Sequence, residues 1–344
     1  MLTETQETVR VASVINSDVL VIGAGISGLA AARELRASGL HPVILERSRG
    51  VSGRCATRRW DGIPVDHGAQ YFTARTPLFQ EQLRDWLDAG VCFEWSTKIH
   101  RWSPPGLVEK LDPCPRYAGR GGMSALGKAM EHGLDVRRNT RVDRLEQSGD
   151  LWVAHGPDLS RYEAPHVIVS APIPQTLELL HDADLHADAA ARLGRVFLQP
   201  CICVALRFPA SQVPEWQGIQ LDDPILSWIG NDSSKRENPS ATVIILHGAP
   251  GFSRVWLNRD LGRAADLMTA RAAGMLGAWI LKSEARFVHL WKYSLVERGV
   301  ESSHYLEVAP GCTVVGDAFV APRIEGAWLS GHAAGAALAK KLSR

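Results

Sequence analysis

Apolar positions alternate between short solid runs and longer one-sided repeats, and this alternation is sharpest at the two ends of the chain. Residues 18–22, DVLVI, form a short apolar run that stops at Gly23 and predicts a buried parallel strand. Residues 23–39, GAGISGLAAARELRASG, are alanine-rich with Leu29 and Leu35 on one helical face, and Gly39 closes the predicted helix. His41-Pro42 reads as a turn and residues 43–46, VILE, as a second buried strand, so the chain opens with a strand–helix–strand unit. At the far end, residues 312–319 (CTVVGDAF) are strand-like, and residues 326–342, built of small residues, predict a closing helix. Between the ends the pattern is mixed. Residues 123–130 and 260–282 have helical periodicity, residues 166–172, 201–208 and 241–248 are strand-like, and 134–155 predicts short strands around a turn at 148–150. The polar stretch 231–240, NDSSKRENPS, punctuates the chain as a loop.

Composition narrows the class. A length of 344 residues is a prior of roughly two domains. Lys plus Arg number 38 against 37 Asp plus Glu, a net charge of +1, which leaves no basic footprint for nucleic acid or anionic lipid. The six cysteines form no CxxC and no zinc spacing, and their scatter fits a reducing compartment. Residues 1–17 lack the apolar core of a signal peptide, and no run reaches the roughly 18 apolar residues of a membrane span. The expectation is a soluble cytoplasmic protein whose first 17 residues are a flexible tail, and its 11 Trp suggest apolar, aromatic-walled surfaces.

The chemistry begins at Gly23-x-Gly25-x-x-Gly28, set directly between the first strand and helix. Glycines there permit a tight turn, close approach to a pyrophosphate and close helix–strand packing, and the helix N-terminus supplies positive potential. Glu46 follows Gly28 by 18 residues at the end of the second strand, placed for both ribose hydroxyls and against a 2′-phosphate. Residues 48–54, SRGVSGR, resemble the Gly-Gly-Arg turn of amine-oxidase-superfamily flavoproteins, with Gly53 and Arg54 kept and Ser52 in place of the first glycine. If position 52 needs a positive φ, serine strains it by about 1 kcal/mol. Gly316-Asp317 ends the late strand, and Arg323 opens the last helix, whose N-terminus would stabilise charge on a reduced flavin. A simple NAD dehydrogenase needs no such second motif, so the two ends together point to FAD.

Further blocks make the likeness specific. Arg54, Thr57-Arg58-Arg59, the run Asp66-His67-Gly68-Ala69-Gln70-Tyr71-Phe72-Thr73-Ala74-Arg75, residues 122–126, 169–175 and 323–331 resemble, in order, the signature of the renalase family. That resemblance implies noncovalent FAD and oxidation of the 2- and 6-dihydro isomers of NAD(P)H, with dioxygen reoxidising the flavin to give hydrogen peroxide. It implies FAD contacts from Gly23, Gly25, Ile26, Gly28, Glu46, Arg47, Arg54, Gln70, Val142, Gly316, Asp317 and Ile324. It places Tyr71, Phe72, Thr73, Ala74, Arg75, His247, Trp291 and Arg323 on the substrate side. His247 could equally be a structural histidine, Trp291 and Tyr293 core aromatics, and Arg75 and Arg323 solvated surface residues. Lys292, between Trp291 and Tyr293, points the other way on a strand, and Cys201 stands where some relatives have a hydroxyl. No catalytic residue is obligatory: such a donor gains aromaticity on losing hydride, so positioning at roughly 3 to 3.5 Å is the protein's task. No metal set is present, and no nucleophile elbow or paired-carboxylate signature supports a hydrolase.

The expected architecture is α/β, a two-dinucleotide-binding (Rossmann-like) FAD domain interrupted by an α+β substrate domain on a mixed or antiparallel sheet. The FAD domain is expected over 18–75, 115–175 and 305–344, and the substrate domain over 76–114 and 176–304. The expected partners are a dinucleotide substrate and dioxygen, without nucleic acid or membrane. Two other functions fit the same scaffold: oxidation of a different substrate such as an amine or pigment precursor, which predicts an apolar tunnel and a lysine at the flavin, and a non-catalytic flavin-binding role.

Overall fold

The computed structural model describes residues 15–104, 106–300 and 303–343. A six-stranded sheet runs Leu306–Ala309, Cys312–Val314, His166–Val169, Val19–Ile22, Pro42–Leu45, Asp135–Arg137. All its pairings are parallel except Leu306–Ala309 against Cys312–Val314. Both faces are covered, as a parallel sheet requires. Val19 and Val21 pack on one side with Leu29 and Leu35 of the helix Ile26–Ala37, while Leu20 and Ile22 pack on the other with Trp152 and Ala164. The second face is closed by a four-stranded sheet, Ile15–Asn16, Arg161–Ala164, Leu151–His155, Arg144–Ser148.

The last helix, Ile324–Leu342, lies against the first because its small residues allow it. A Cβ at Gly331 would overlap the Ser27 carbonyl, and one at Gly335 would crowd Ala31. This contact brings the N-termini of two helices to one side of the parallel sheet.

A second, seven-stranded sheet runs Ala285–Arg298, Phe197–Pro209, Ala241–Gly248, Leu226–Asn231, Gly218–Gln220, Cys92–Ser103, Gly106–Gly119, antiparallel except for one parallel pair. The architecture is therefore the expected α/β dinucleotide-binding unit with a mixed, mainly antiparallel substrate sheet. The strand Gly106–Gly119 runs across position 115.

Several local readings are adjusted. Residues 15 and 16, assigned to the tail, pair with Arg161–Ala164; the rest of that tail lies outside the described residues. The periodicity of 260–282 is split: the helix Leu261–Leu276 ends where Gly277 takes φ +103°, and Ala278–Lys282 is a 3-10 turn. In 312–319 only Cys312–Val314 is strand. The stretch at 231–240 contains a 3-10 turn, Asp232–Lys235, that is buried rather than solvated, because its charges pair with one another and with Asp66. None of the six cysteines is in a disulfide among the described residues.

Candidate functional site

The glycine turn, the second-strand carboxylate and the last helix open onto one cavity of about 1840 Å³, which also reaches the seven-stranded sheet. Pockets for a single small ligand run to roughly 300–1,000 Å³, so this space is large enough for a dinucleotide with room beside it.

At the turn, the backbone of Ile22 and Gly23 is tied down by Ser170, whose hydroxyl donates to the Gly23 carbonyl at 2.8 Å. Gly28 packs against that same point, where a Cβ would collide with Gly23 O and the Ser170 side chain. A Cβ at Gly25, in contrast, would meet nothing within 4 Å, and no side chain caps the helix that begins at Ile26. The first N–H groups of that helix are thus presented to a cradle that only glycine keeps open. Glu46 closes one wall. Its carboxylate accepts hydrogen bonds from Ala24 N at 2.8 Å and Ser48 N at 2.7 Å, which fixes it beside the turn. Ser52 does adopt the left-handed conformation, φ +89°, and its strain is partly offset by its hydroxyl donating to Ser124 O at 3.0 Å. The last helix is also uncapped by any side chain, and Arg323, Ile324 and Ala327 line the cavity. Open glycine cradle, ribose-ready carboxylate and two bare helix N-termini fit a dinucleotide of the FAD type.

Arg54 and Asp317 come from opposite ends of the chain and meet as a bidentate pair, at 3.0 and 2.7 Å, with Arg54 also donating to Ser294 O. Both line the cavity, so the pair clamps the first turn to the late strand.

Away from the glycine turn the wall is aromatic and imidazole-bearing. Trp291 donates from Nε1 to the His67 carbonyl at 2.9 Å and stacks on the His67 ring at 5.1 Å; His289 lies 4.5 Å from Trp291. Burial pushes His67 down to about 4, with His289 adding to it, and burial followed by the charge of Lys235 pushes His247 down to about 4. Both imidazoles are neutral at ordinary pH. His67 Nδ1 and His247 Nε2 are buried without a hydrogen-bond partner among the described residues. Gln70 borders the same space, its amide held by Asp66 O and Gly68 O. Tyr71 packs against Trp228 and Trp95, with Arg116 over its ring. Cys201 also lines the cavity, and burial pushes its thiol up to about 12, so it stays protonated.

Of the twelve residues expected at the cofactor, Gly23, Gly25, Ile26, Glu46, Arg47, Arg54, Gln70, Val142, Asp317 and Ile324 line the cavity. Gly28 and Gly316 lie outside the lining: Gly28 sets the helix packing, and Gly316 N donates to Ser330 Oγ at 2.9 Å. On the substrate side Tyr71, Thr73, His247, Trp291 and Arg323 line it. Phe72 borders it but points its ring into the core among Phe79, Trp86 and Tyr117. Ala74 and Arg75 are outside. The buried Glu325 carboxylate accepts from Arg75 N at 3.0 Å and Thr76 N at 2.7 Å, which pins the backbone there and leaves the Arg75 side chain exposed. Lys292, expected to point away, is on the cavity lining as well, exposed to solvent with its ammonium over the Tyr293 ring at 5.2 Å.

Sequence reasoning passed over a buried ion network beneath this wall. Asp66 accepts from Lys235 at 3.0 Å, Arg236 at 2.8 Å, Thr57 Oγ1 at 2.7 Å and Met123 N at 2.8 Å; Lys235 also donates to Gln70 O at 3.1 Å. Burial opposes the Asp66 charge, but Lys235 and Arg236 outweigh it and hold the carboxyl well below its usual range. The available signal was the spacing of Asp232, Lys235 and Arg236, which places opposite charges one helical turn apart.

Fold and site together define a dinucleotide-cofactor oxidoreductase scaffold with a separate, aromatic-walled compartment. Residues 21–89 match the NAD(P)-binding Rossmann-like domain family, and residues 106–338 match the family described as flavin containing amine oxidoreductase. The second match covers more than half of the chain, which therefore belongs to the flavin-containing amine oxidoreductase family, and membership implies the flavin cofactor FAD. Among curated relatives, 54 residues are 46% identical to a Mycobacterium tuberculosis protein named as a flavin-containing monoamine oxidase, AofH, covering 16% of this chain and 12% of that one. A stretch of 55 residues is 51% identical to amine oxidase [flavin-containing] B of Cavia porcellus, covering 16% and 11%. The match thus spans about an eighth of these relatives' length. Among solved structures, putrescine oxidase superposes with a TM-score of 0.73 at 15% identity, and the cyclohexylamine oxidase of Brevibacterium oxydans with 0.74 at 12%; each alignment covers 96% of this chain and 100% of the other. At such identities the likeness is one of fold. Among the described residues no helix is long and apolar enough to cross a membrane, and no group of three or more His, Cys, Asp or Glu side chains is placed to hold a metal ion.

Proposed function

We propose that this chain is an FAD-dependent oxidase of the renalase type, holding FAD noncovalently and oxidising the 2- and 6-dihydro isomers of NAD(P)H to NAD(P)⁺. Bound FAD would take the donor's hydride and return the electrons to dioxygen, so that donor, O₂ and a proton give the aromatic dinucleotide and H₂O₂. The observation that carries the reading is the make-up of the compartment beyond the glycine turn: a Trp291–His67–His289 wall of uncharged rings with Arg58 and Arg59 also lining the cavity, whereas Arg323 on the same lining is paired with Glu325 at 3.2 Å. An amine substrate enters as a cation, which those guanidiniums repel, whereas a dinucleotide is an anion with one flat ring. Of the lining carboxylates, Asp317 is engaged by Arg54, Glu46 by backbone N–H groups and Asp143 by Arg141, while Glu178 is exposed to solvent.

In this reading the six-stranded unit binds the cofactor and the seven-stranded sheet covers the donor. Trp291 and Tyr71 bound the ring compartment, and the Gln70 amide is held by the Asp66 and Gly68 carbonyls, so little motion is lost on binding. His67 and His247 line the same space and, being neutral, add no charge to it. None of these groups transfers a proton; the chain orients the donor and excludes water.

The test is anaerobic mixing of the purified flavoprotein with borohydride-reduced NAD⁺, which contains the dihydro isomers, beside authentic NADH and a panel of amines. Bleaching of the flavin spectrum by the isomer mixture alone, with peroxide on admission of air, is expected. Bleaching by an amine, or by no donor, would overturn the proposal.

A further inference from the structure

The strand Thr57–Trp60 carries two arginines to the cavity, and among the described residues neither has a carboxylate in ion-pair range. Arg58 is the better placed of the two. Its guanidinium lies over the Phe287 ring at 4.7 Å; Phe287 meets Trp60 edge-on at 4.9 Å, and the Trp60 ring carries Arg207 at 5.1 Å. The two cations on this aromatic ladder differ in one respect. Arg207 is neutralised by Asp61 at 2.8 Å, and Arg58 is not neutralised. A guanidinium laid on an aromatic face keeps its N–H edges free and restricts its rotamers, so it meets an oxyanion at lower entropic cost than a free surface arginine.

Its position relative to the ring wall matters as much as its charge. Phe287 is 6.3 Å from His67, and His67 is 5.1 Å from Trp291. The cation is thus set off from Trp291 by the intervening rings, as a ribose sets a phosphate off from a nicotinamide. Its charge reaches both His67 and His289, where it adds to the burial that keeps them neutral. Arg75, the arginine that the sequence offers for this task, is outside the cavity.

We infer that Arg58 is a specificity-determining residue that grips the phosphate-bearing part of the donor while its dihydropyridine ring rests against Trp291. This rests on the dihydro-dinucleotide reading above. It deepens that reading by assigning affinity for the dinucleotide, and discrimination against phosphate-free dihydropyridines, to one guanidinium on Phe287.

The experiment compares two donors on the holoenzyme: borohydride-reduced NAD⁺ and borohydride-reduced 1-methylnicotinamide, which has the ring but no phosphate. In R58A the ratio of kcat/KM for the first donor to that for the second should fall about tenfold, through KM, and R58K should recover part of it. Titration calorimetry with ADP-ribose, which has the phosphates but no nicotinamide, should show a similar loss of affinity in R58A with flavin content unchanged. In the wild type, raising ionic strength should lower kcat/KM for the dinucleotide donor and not for the methylated one, a readout that needs no variant to fold. An unchanged ratio in R58A, a salt response shared by both donors, or loss of flavin from R58A would overturn the role of Arg58 while leaving the functional reading standing. A wild-type enzyme that oxidises neither donor would overturn both.

Discussion

The Lys235 ammonium sits 3.0 Å from Asp66 Oδ2 with both side chains withdrawn from solvent, joining residues 169 positions apart under the floor of the site. Asp232 and Arg236 complete a group of two acids and two bases. The two carboxylates and two cations cancel, so the group carries no net buried charge. Because Lys235 also donates to the Gln70 carbonyl, it positions the segment that presents Gln70 and Tyr71 to the cavity. Removing one member leaves an uncompensated charge.

Lys235→Met should therefore destabilise the protein by about 3–5 kcal/mol. The double variant K235M/D232N, which removes one charge of each sign, should recover a good part of that loss. Urea unfolding of the four corners of this cycle measures it, and additive losses would contradict the pairing.

Ser52 combines a cost with a compensation. Ser52→Gly relieves the positive φ but gives up the hydrogen bond to Ser124 O, so the two changes, each about 1 kcal/mol, should nearly cancel. Ser52→Ala keeps the strain and loses the bond, and should lower the melting temperature by roughly 1–2 °C for a chain of this size. Differential scanning calorimetry of the two variants separates the terms; equal shifts would show that one of them is absent.

His67 sets an acid limit on stability. Its folded pKa, near 4, is below the unfolded value of about 6.5, so the unfolded chain binds more protons between these limits. Stability from the neutral ring is complete above about pH 6.5 and is lost as pH falls toward 4. His247 acts in the same window. Thermal unfolding of the FAD-saturated protein at steps from pH 7.5 to 4.5 should show this decline, and His67→Gln should flatten it. A variant with the wild-type slope would refute the assignment.

Arg75→Ala should leave donor kcat/KM within about twofold of wild type, since its backbone is engaged, by Glu325 and Gln80, and its side chain is exposed outside the cavity. Glu325→Ala removes the acceptor of Arg75 N, Thr76 N and Thr76 Oγ1 at the start of the helix Pro77–Asp88. That loss should cost about 2 kcal/mol or more. Steady-state kinetics and denaturant midpoints of the two variants check the contrast.

Much of this protein is written locally. The run at 18–22, the glycine spacing to Gly28, the carboxylate at Glu46 and the small-residue closing helix depend on neighbours in sequence, because strand period, turn conformation and helix packing are short-range matters. These features defined the parallel sheet and the cofactor cradle. Tertiary structure alone decided where long side chains end up. Arg54 meets Asp317 from 263 positions away, and Arg75 turns outward because Glu325, 250 positions on, holds its backbone. The turn Asp232–Lys235 is buried because Asp66 adds a second carboxylate to Asp232 against Lys235 and Arg236. Charge pairing and cavity lining depend on three-dimensional distance, which a pattern of residue types along one chain does not encode.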